Sequence, residues 1–279
     1  MEPVWVKQTT FHLPRRQRTA HKGDFGRVYI LAGSVGYTGA PVLAADGAVR
    51  TGSGLVFLGV PEEIWPVVAV KCAEAMPYPM ERETDALVRR ISACDAALIG
   101  PGLGQSGRTQ QLVRRLVTRL ELPLVLDADG LNAFAGALHL LKERKAPTVL
   151  TPHEGEFARL TGCGLPIKDR VGAAADFARE YGCTVVLKGH NTVTAAPDGR
   201  VWINTSGNPG MAKGGSGDVL SGVILSLIGQ GFPVEESAAM GVWLHGRAGD
   251  FAALDLGEYG MTPTDLVTSL PKALMELTQ

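Results

Sequence analysis

The chain lacks most of the features that would place it at a glance. Its four cysteines, at 72, 94, 163 and 183, are scattered through 279 residues with no CxxC pair. That excludes a disulfide scaffold and a paired-cysteine redox motif, and it fits a reducing, cytoplasmic compartment. No stretch approaches the about 18 uninterrupted apolar residues of a membrane span. Arg15, Arg16, Arg18 and Lys22 are followed by no apolar run, so a secretory signal is not expected. Neither sign of charge prevails: 27 Lys and Arg face 28 Asp and Glu, for a net charge of −1. A broad basic surface for nucleic acid is therefore not expected. No internal repeat is present.

What the chain has is glycine, 35 residues of 279, nearly twice the roughly 7% average. There is no Gly-X-Y period and no Gly/Ser linker, so collagen and low complexity are excluded. The glycines cluster between apolar runs. Some must be turns, and others must allow a ligand close to the backbone.

Residues 1–26 read as a polar, basic lead-in to a single domain over 27–279. Short β-branched runs predict strands at 28–32, 55–60, 96–100, 124–127, 148–151 and 184–188. Several are apolar at consecutive positions, as strands buried on both faces should be. Helices are predicted near 39–51, 82–92, 107–120, 130–143 and 169–181. This alternation predicts an α/β fold with a mainly parallel sheet between two helical layers. Runs at 193–196 and 200–204 flank Pro197-Asp198-Gly199, a hairpin signal. Helices near 215–229, 234–254 and 263–277 follow. Ligands in such folds collect beyond the carboxyl ends of the strands, so the residues just after each strand carry most weight.

Gly102-Leu103-Gly104-Gln105-Ser106-Gly107 matches G-x-G-x-x-G after a strand, and Asp127 follows Gly107 by 20 residues. This is the spacing of a dinucleotide fingerprint with its ribose-binding acid, although a tight turn without a ligand has the same form. In Asn208–Asp218, glycines at 214, 215 and 217 stand with Ser216 where a helix begins. Their N–H groups would form an anion hole. Gly-Lys-Ser/Thr is absent, so this is no P-loop. Asp218, in the first helical turn, is placed either to take a proton from an attacking hydroxyl or to cap the helix. His153-Glu154-Gly155-Glu156 falls short of a zinc set. Glu156 could act on Mg²⁺ through water, or it could simply start a helix. Lys188-Gly189-His190-Asn191-Thr192 could bind a nucleotide or form a plain turn. Asp127 and Asp129 could hold Mg²⁺ or form an Asx-turn. His245 and Asp250 lie on an apolar helix, where structural roles are expected. Gly222 and Gly241 sit inside helices, where close packing is the expected reason.

Taken in order, these motifs resemble a known family. Gly33-Ser34 with Tyr37–Ala40, Gly100–Gly104, Asp127–Gly130, Thr151–His153 with Glu156, Lys188-Gly189 with Thr192, and the 208–218 block are similar to the ADP/ATP-dependent NAD(P)H-hydrate dehydratases of the ribokinase-like superfamily. The resemblance covers roughly 22–278. It implies a three-layer α/β/α fold and a repair lyase that restores NADH or NADPH from the S-form of the hydrate. ADP or ATP with Mg²⁺ would be consumed. Asp218 would be the base. Ala40, Gly102, Gly104, His153 and Asp218 would contact the hydrate. Lys188, Gly189, His190, Asn191, Thr192 and Gly217 would contact the adenine nucleotide, and Gly214–Gly217 would form the anion hole. The resemblance also implies a homo-oligomer, such as a homotetramer, and a separate epimerase as functional partner, since the short lead-in leaves no room for a fused one. The alternatives are a ribokinase-like kinase of a vitamin alcohol or sugar, and a Rossmann-type oxidoreductase. The oxidoreductase reading leaves the 208–218 block unexplained.

Overall fold

The structure, a computed structural model, describes residues 2–278. Among them, ten strands form one sheet: β1 Val4–Trp5, β2 Arg27–Leu31, β3 Leu55–Val60, β4 Met76–Pro79, β5 Ala96–Ile99, β6 Leu124–Leu126, β7 Thr148–Leu150, β8 Thr184–Leu187, β9 Thr192–Ala195 and β10 Val201–Asn204. Their spatial order is β1-β10-β9-β8-β7-β6-β5-β2-β3-β4. From β8 to β4 all pairs are parallel. β9 runs antiparallel to β10, as the hairpin signal predicts, and also to β8.

Two strands escape sequence patterning. β4 reads Met-Pro-Tyr-Pro, and proline cannot donate to a ladder, so such a strand is tolerated only at an edge, where β4 lies. β1 has only two residues and pairs in parallel with β10. The lead-in is therefore structured. Leu13 N–H donates to Leu277 O at 2.9 Å. Arg16 donates to Gly52 O at 2.6 Å and Gln230 Oε1 at 2.9 Å, and its guanidinium lies 3.7 Å over the Phe25 ring.

The central strands alternate between two cores. Tyr29, Leu31, Ile99, Leu126 and Leu187 face a layer of α3 Thr84–Ser92, α4 Gly107–Arg119, α5 Asp129–Asn132, α6 His139–Lys142, α7 Glu154–Thr161 and α8 Arg170–Tyr181. Val28, Ile30, Leu98, Val125 and Val186 face the opposite layer, built from α1 Gly39–Thr51, α2 Trp65–Lys71, α9 Ser216–Gly229, α10 Val234–Gly260 and α11 Pro263–Leu277. The helix predicted over 130–143 is two short ones, because Gly136 between them takes φ +76°, outside the helical region. α2 was not predicted, and α10 continues to Gly260 across a kink at Gly257.

Every residue of α9 from Val219 to Gly229 is buried. The helix lies between the sheet and other helices, so it is apolar all round. Small residues bring it close to α1. A Cβ on Gly222 would lie 2.0 Å from Ala44 O, and one on Gly47 would lie 2.7 Å from Val219 O. Gly241 of α10 likewise admits Ile224. This contact fixes the depth at which the N-terminus of α9 meets the sheet. Among the described residues, no helix is long and apolar enough to cross a membrane.

Candidate active site

The segments after β2, β5, β6, β7 and β8 stand side by side along the carboxyl edge of the sheet, because those strands are consecutive neighbours. The motifs at 33–40, 100–104, 127–130, 151–156 and 188–192 thus form one row. The N-terminus of α9 lies over part of it: a Cβ on Gly217 would be 3.4 Å from Lys188 Nζ and 4.0 Å from Asp127 Oδ2.

At the β2/β5 end, Ser34 Oγ donates to Gly102 O at 2.8 Å. Gly104 N–H donates to Asp129 Oδ2 at 2.8 Å, and Asn132 Nδ2 donates to Asp129 Oδ1 at 3.1 Å. Asp129 therefore serves as an acceptor that holds the glycine loop. Gly102, at φ +63°, packs against Tyr37 and Ala40; a Cβ there would be 2.9 Å from Tyr37 Cβ and 3.1 Å from Ala40 Cβ. Ala40, Gly102 and Gly104 are thus brought together. The dinucleotide-fingerprint reading of Asp127 is corrected. Its residue is 1% exposed and its Oδ1 lies 3.0 Å from Lys188 Nζ, so it is not available to a ribose. The following residue, Ala128, takes φ +49° and ψ −115°, a conformation costly for a residue with a Cβ.

At the N-terminus of α9, Gly215 is the cap at φ +101°. The N–H of Ser216 is engaged by Lys213 O at 3.2 Å, so it is withdrawn from the anion hole expected over 214–217. Gly217 and Asp218, the second and third helical residues, have N–H groups with no acceptor within the helix. Ser216 Oγ is buried without a hydrogen-bond partner, an unsatisfied group that a phosphate oxygen would complete. A Cβ on Gly214 would meet nothing within 4 Å. From below, His245 Nε2–H donates to Ser216 O at 2.9 Å. Burial pushes the pKa of His245 down to about 4, so the ring is neutral and acts as a brace. Asp250 accepts from Gly207 N–H at 3.1 Å and from Asn208 Nδ2 at 3.4 Å, which anchors the start of the 208–218 block. Both residues are structural, as their place on an apolar helix implied.

Lys188 follows β8 directly, and its N–H donates to Pro152 O at 2.8 Å. Its ammonium lies 3.0 Å from Asp127 Oδ1 and 3.8 Å from Glu156 Oε2. Burial works against its charge, but the Asp127 and Glu156 carboxylates outweigh that and raise its pKa. Glu156 Oε2 also accepts His153 N–H at 2.8 Å, while His153 Nδ1 accepts the N–H groups of Gly155 at 3.0 Å and Glu156 at 3.2 Å. The pair forms a capping box on α7, the helix-start role kept open from sequence. Because Nδ1 is an acceptor there, Nε2 carries the ring proton, and it lies 3.6 Å from Glu156 Oε1. The 187–191 turn is held by a residue that sequence reading missed. Arg170, at the start of α8, donates to Leu187 O, His190 O and Asn191 O. Its only sequence signal is its place after Asp169, the N-cap. The side chain of His190 is exposed, and only its carbonyl is fixed in the turn.

Asp218 is half-buried. Burial, reinforced by the carboxylates of Asp127 and Glu156 and opposed by Lys188, raises its pKa to about 7. A carboxyl group poised there can both accept and release a proton near neutral pH. Beside it are helix N–H groups and an unpartnered serine hydroxyl, so the arrangement can bind an anion and deprotonate a neighbouring hydroxyl. No group of three His, Cys, Asp or Glu side chains among the described residues converges to hold a metal. Asp127 Oδ1 and Glu156 Oε2 both face the Lys188 ammonium, so this pair of oxygens does not suit a Mg²⁺ held directly by the protein.

A family model described as NAD(P)H-hydrate dehydratase matches residues 28–272. The chain belongs to the NAD(P)H-hydrate dehydratase family. A family member from Neisseria meningitidis serogroup B, an ADP-dependent (S)-NAD(P)H-hydrate dehydratase, is 41% identical over 254 residues, covering 87% of this chain and 84% of that protein. The bifunctional NAD(P)H-hydrate repair enzyme of Moorella thermoacetica is 44% identical over 276 residues. This chain is matched over 95% of its length but spans only 52% of that enzyme. The crystal structure of the Bacillus subtilis ADP/ATP-dependent NAD(P)H-hydrate dehydratase, co-crystallised with ATP and Mg²⁺, superposes with a TM-score of 0.86 at 32% identity over 99% of both chains. A hydroxyethylthiazole kinase from Pyrococcus horikoshii superposes at 0.63 with 15% identity over 92% and 91% of the two chains. That likeness extends the shared fold to kinases and nothing more. A ribokinase-like superfamily protein from Enterococcus faecalis superposes at 0.88 with 28% identity over 99% and 96% of the two chains, so the fold is the ribokinase-like α/β/α sandwich expected from sequence.

Proposed function

We propose that this protein is a nucleotide-repair lyase that dehydrates the S-form of NAD(P)H hydrate to NADH or NADPH at the expense of ADP or ATP. The observation that carries the reading is the setting of Asp218. It lies in the first turn of α9, beside the free N–H groups of that turn and the unpartnered Ser216 Oγ, with its pKa raised to about 7.

Hydroxide is a poor leaving group from the hydrated ring, and phosphate is a good one. Asp218 removes the proton of the ring hydroxyl as its oxygen attacks the terminal phosphorus of the nucleotide. The bridging O–P bond of the nucleotide breaks, leaving ADP from ATP or AMP from ADP. The N–H groups of Gly217 and Asp218 and the hydroxyl of Ser216 stabilise charge on the transferring group without having to reorganise. The ring nitrogen then drives out phosphate, and loss of a proton from the adjacent ring carbon restores the dihydropyridine. Ala40, Gly102, Gly104 and His153 border the hydrate. Lys188, Gly189, Asn191, Thr192 and Gly217 border the nucleotide, which arrives as its Mg²⁺ complex. An epimerase is the functional partner, because only one hydrate isomer is consumed. We place the enzyme in the cytoplasm as a homo-oligomer.

The test mixes the purified protein with hydrated NADH and either ADP or ATP and follows the absorbance of restored NADH. Recovery that requires the nucleotide and releases phosphate stoichiometrically is expected. A stable phosphorylated product without recovery of NADH would show a kinase instead.

A further inference from the structure

Two carboxylates stand almost fully buried at 1% and 7% exposure: Asp127, just after β6, and Glu156, in the first turn of α7 that follows the neighbouring strand β7. A cation between two such carboxylates offsets their mutual repulsion. In a phosphoryl-transfer site that cation is commonly Mg²⁺, held by a carboxylate oxygen at roughly 2.0–2.1 Å. Here the place is filled from within. Lys188 Nζ lies 3.0 Å from Asp127 Oδ1 and 3.8 Å from Glu156 Oε2. Its backbone is fixed there by the bond to Pro152 O and a parallel bridge to His153. It also sits 3.4 Å from the vacant Cβ position of Gly217, so the same ammonium faces the first turn of α9.

We infer that Lys188 is a resident cation that occupies the Asp127–Glu156 site and prevents the protein from binding a divalent ion on its own, so that Mg²⁺ enters only on the phosphates of the nucleotide. A divalent ion and an ammonium cannot share the space between these oxygens, since like charges at such separations repel strongly in a partly buried site. Glu156 then reaches a nucleotide-borne ion only through water. The chemical logic is one of timing. A site that stays closed to free divalent ions holds no extra positive charge beside Asp218 until the nucleotide is bound. The inference rests on the nucleotide-dependent reading for its purpose, but its physical content is the competition between Lys188 and a metal.

The experiment measures binding of Mn²⁺ alone, without nucleotide, by loss of the free-ion paramagnetic resonance signal. The full-length wild type is expected to bind none at millimolar Mn²⁺. Lys188→Met, with Lys188→Gln as a second variant, is expected to gain a site that Mn²⁺ fills at those concentrations. Adding Asp127→Asn should remove that site. Lys188→Arg, which keeps the charge, should remain unable to bind. Circular dichroism establishes which variants are folded. A folded Lys188→Met or Lys188→Gln that gains no site overturns the inference. So does a wild type that binds Mn²⁺ unaided and loses it in Asp127→Asn, an arm that needs no Lys188 variant to fold. No turnover is read, so a failed dehydratase assay and a failed Mn²⁺ assay point to different errors.

Discussion

At the scale of single residues, the base proposed at Asp218 comes with a cost. Its carboxyl group titrates at about 7 in the folded chain against an ordinary value of 3.8. The base form must be present for proton removal, so kcat/KM should rise about tenfold per pH unit below 7 and level off above it. Asp127→Asn removes one of the negative charges that hold the value up, so the acid limb of that profile should move to lower pH. Asp218→Asn should retain nucleotide binding in a calorimetric titration and lose about 10²-fold or more of turnover; near-normal turnover would remove it as the base. The linkage has a definite sign. A carboxyl group whose folded pKa lies above its unfolded one favours the unfolded state once it ionises, and that penalty grows as pH rises from about 4 to about 7. Asp218→Asn should therefore melt at the same temperature as wild type near pH 4 and several degrees higher at pH 8. A constant difference across pH would show that the gain is not electrostatic. The position of Asp218 in the first turn of α9 was legible in the sequence, because the clustered glycines mark where that helix begins. The fate of Asp127 was not, because its partner Lys188 lies 61 positions away, and no local spacing announces such a pair.

At the scale of elements, α9 links stability to the site. Its glycines look unfavourable to a helix, since alanine is better by roughly 1 kcal/mol in an isolated one. Packing reverses that ranking. A Cβ on Gly222 would meet Ala44 O at 2.0 Å, and backbone cannot step aside as a side chain can. Gly222→Ala should cost about 1–3 kcal/mol and lower the melting temperature by roughly 2–10 °C. It should also raise KM for the nucleotide, because α9 carries the proposed anion-binding turn and must shift away from α1. Unchanged melting would mean that α1 and α9 separate freely. The parallel strands and most helices were legible because consecutive β-branched residues and helical spacing are local signals. The division of 130–143 into α5 and α6 was not, since the pattern continues through Gly136 while its backbone does not. β4 was hidden by its prolines, which argue against a central strand and are silent about an edge.

At the scale of the whole molecule, the lead-in and the site lie at opposite ends of the same helices. The candidate site gathers at Gly39–Ala40 of α1 and Ser216–Asp218 of α9, whereas Arg16 binds Gly52 and Gln230 beyond their C-termini. Helices of this length separate those ends by about 20 Å. The lead-in acts as a strap. It covers the β10 edge with β1, places Val6 and Leu13 in the core around Trp202, and bonds to the end of α11. Its length and charge gave no hint of this, because a two-residue strand has no periodicity to detect. Removing residues 2–20 should expose Val201–Ile203 as an open apolar edge, which invites pairing between chains. Two buried aliphatic side chains are lost at about 1.5–3 kcal/mol each, so the melting temperature should fall by roughly 5–15 °C. Light scattering should show concentration-dependent association. The rise in melting temperature expected with saturating ADP should nevertheless survive in the truncated chain, because the proposed nucleotide contacts lie at the far end of α9. Loss of that ADP response in a chain that still melts cooperatively would show that the strap and the site are coupled through the helix rather than merely joined by it.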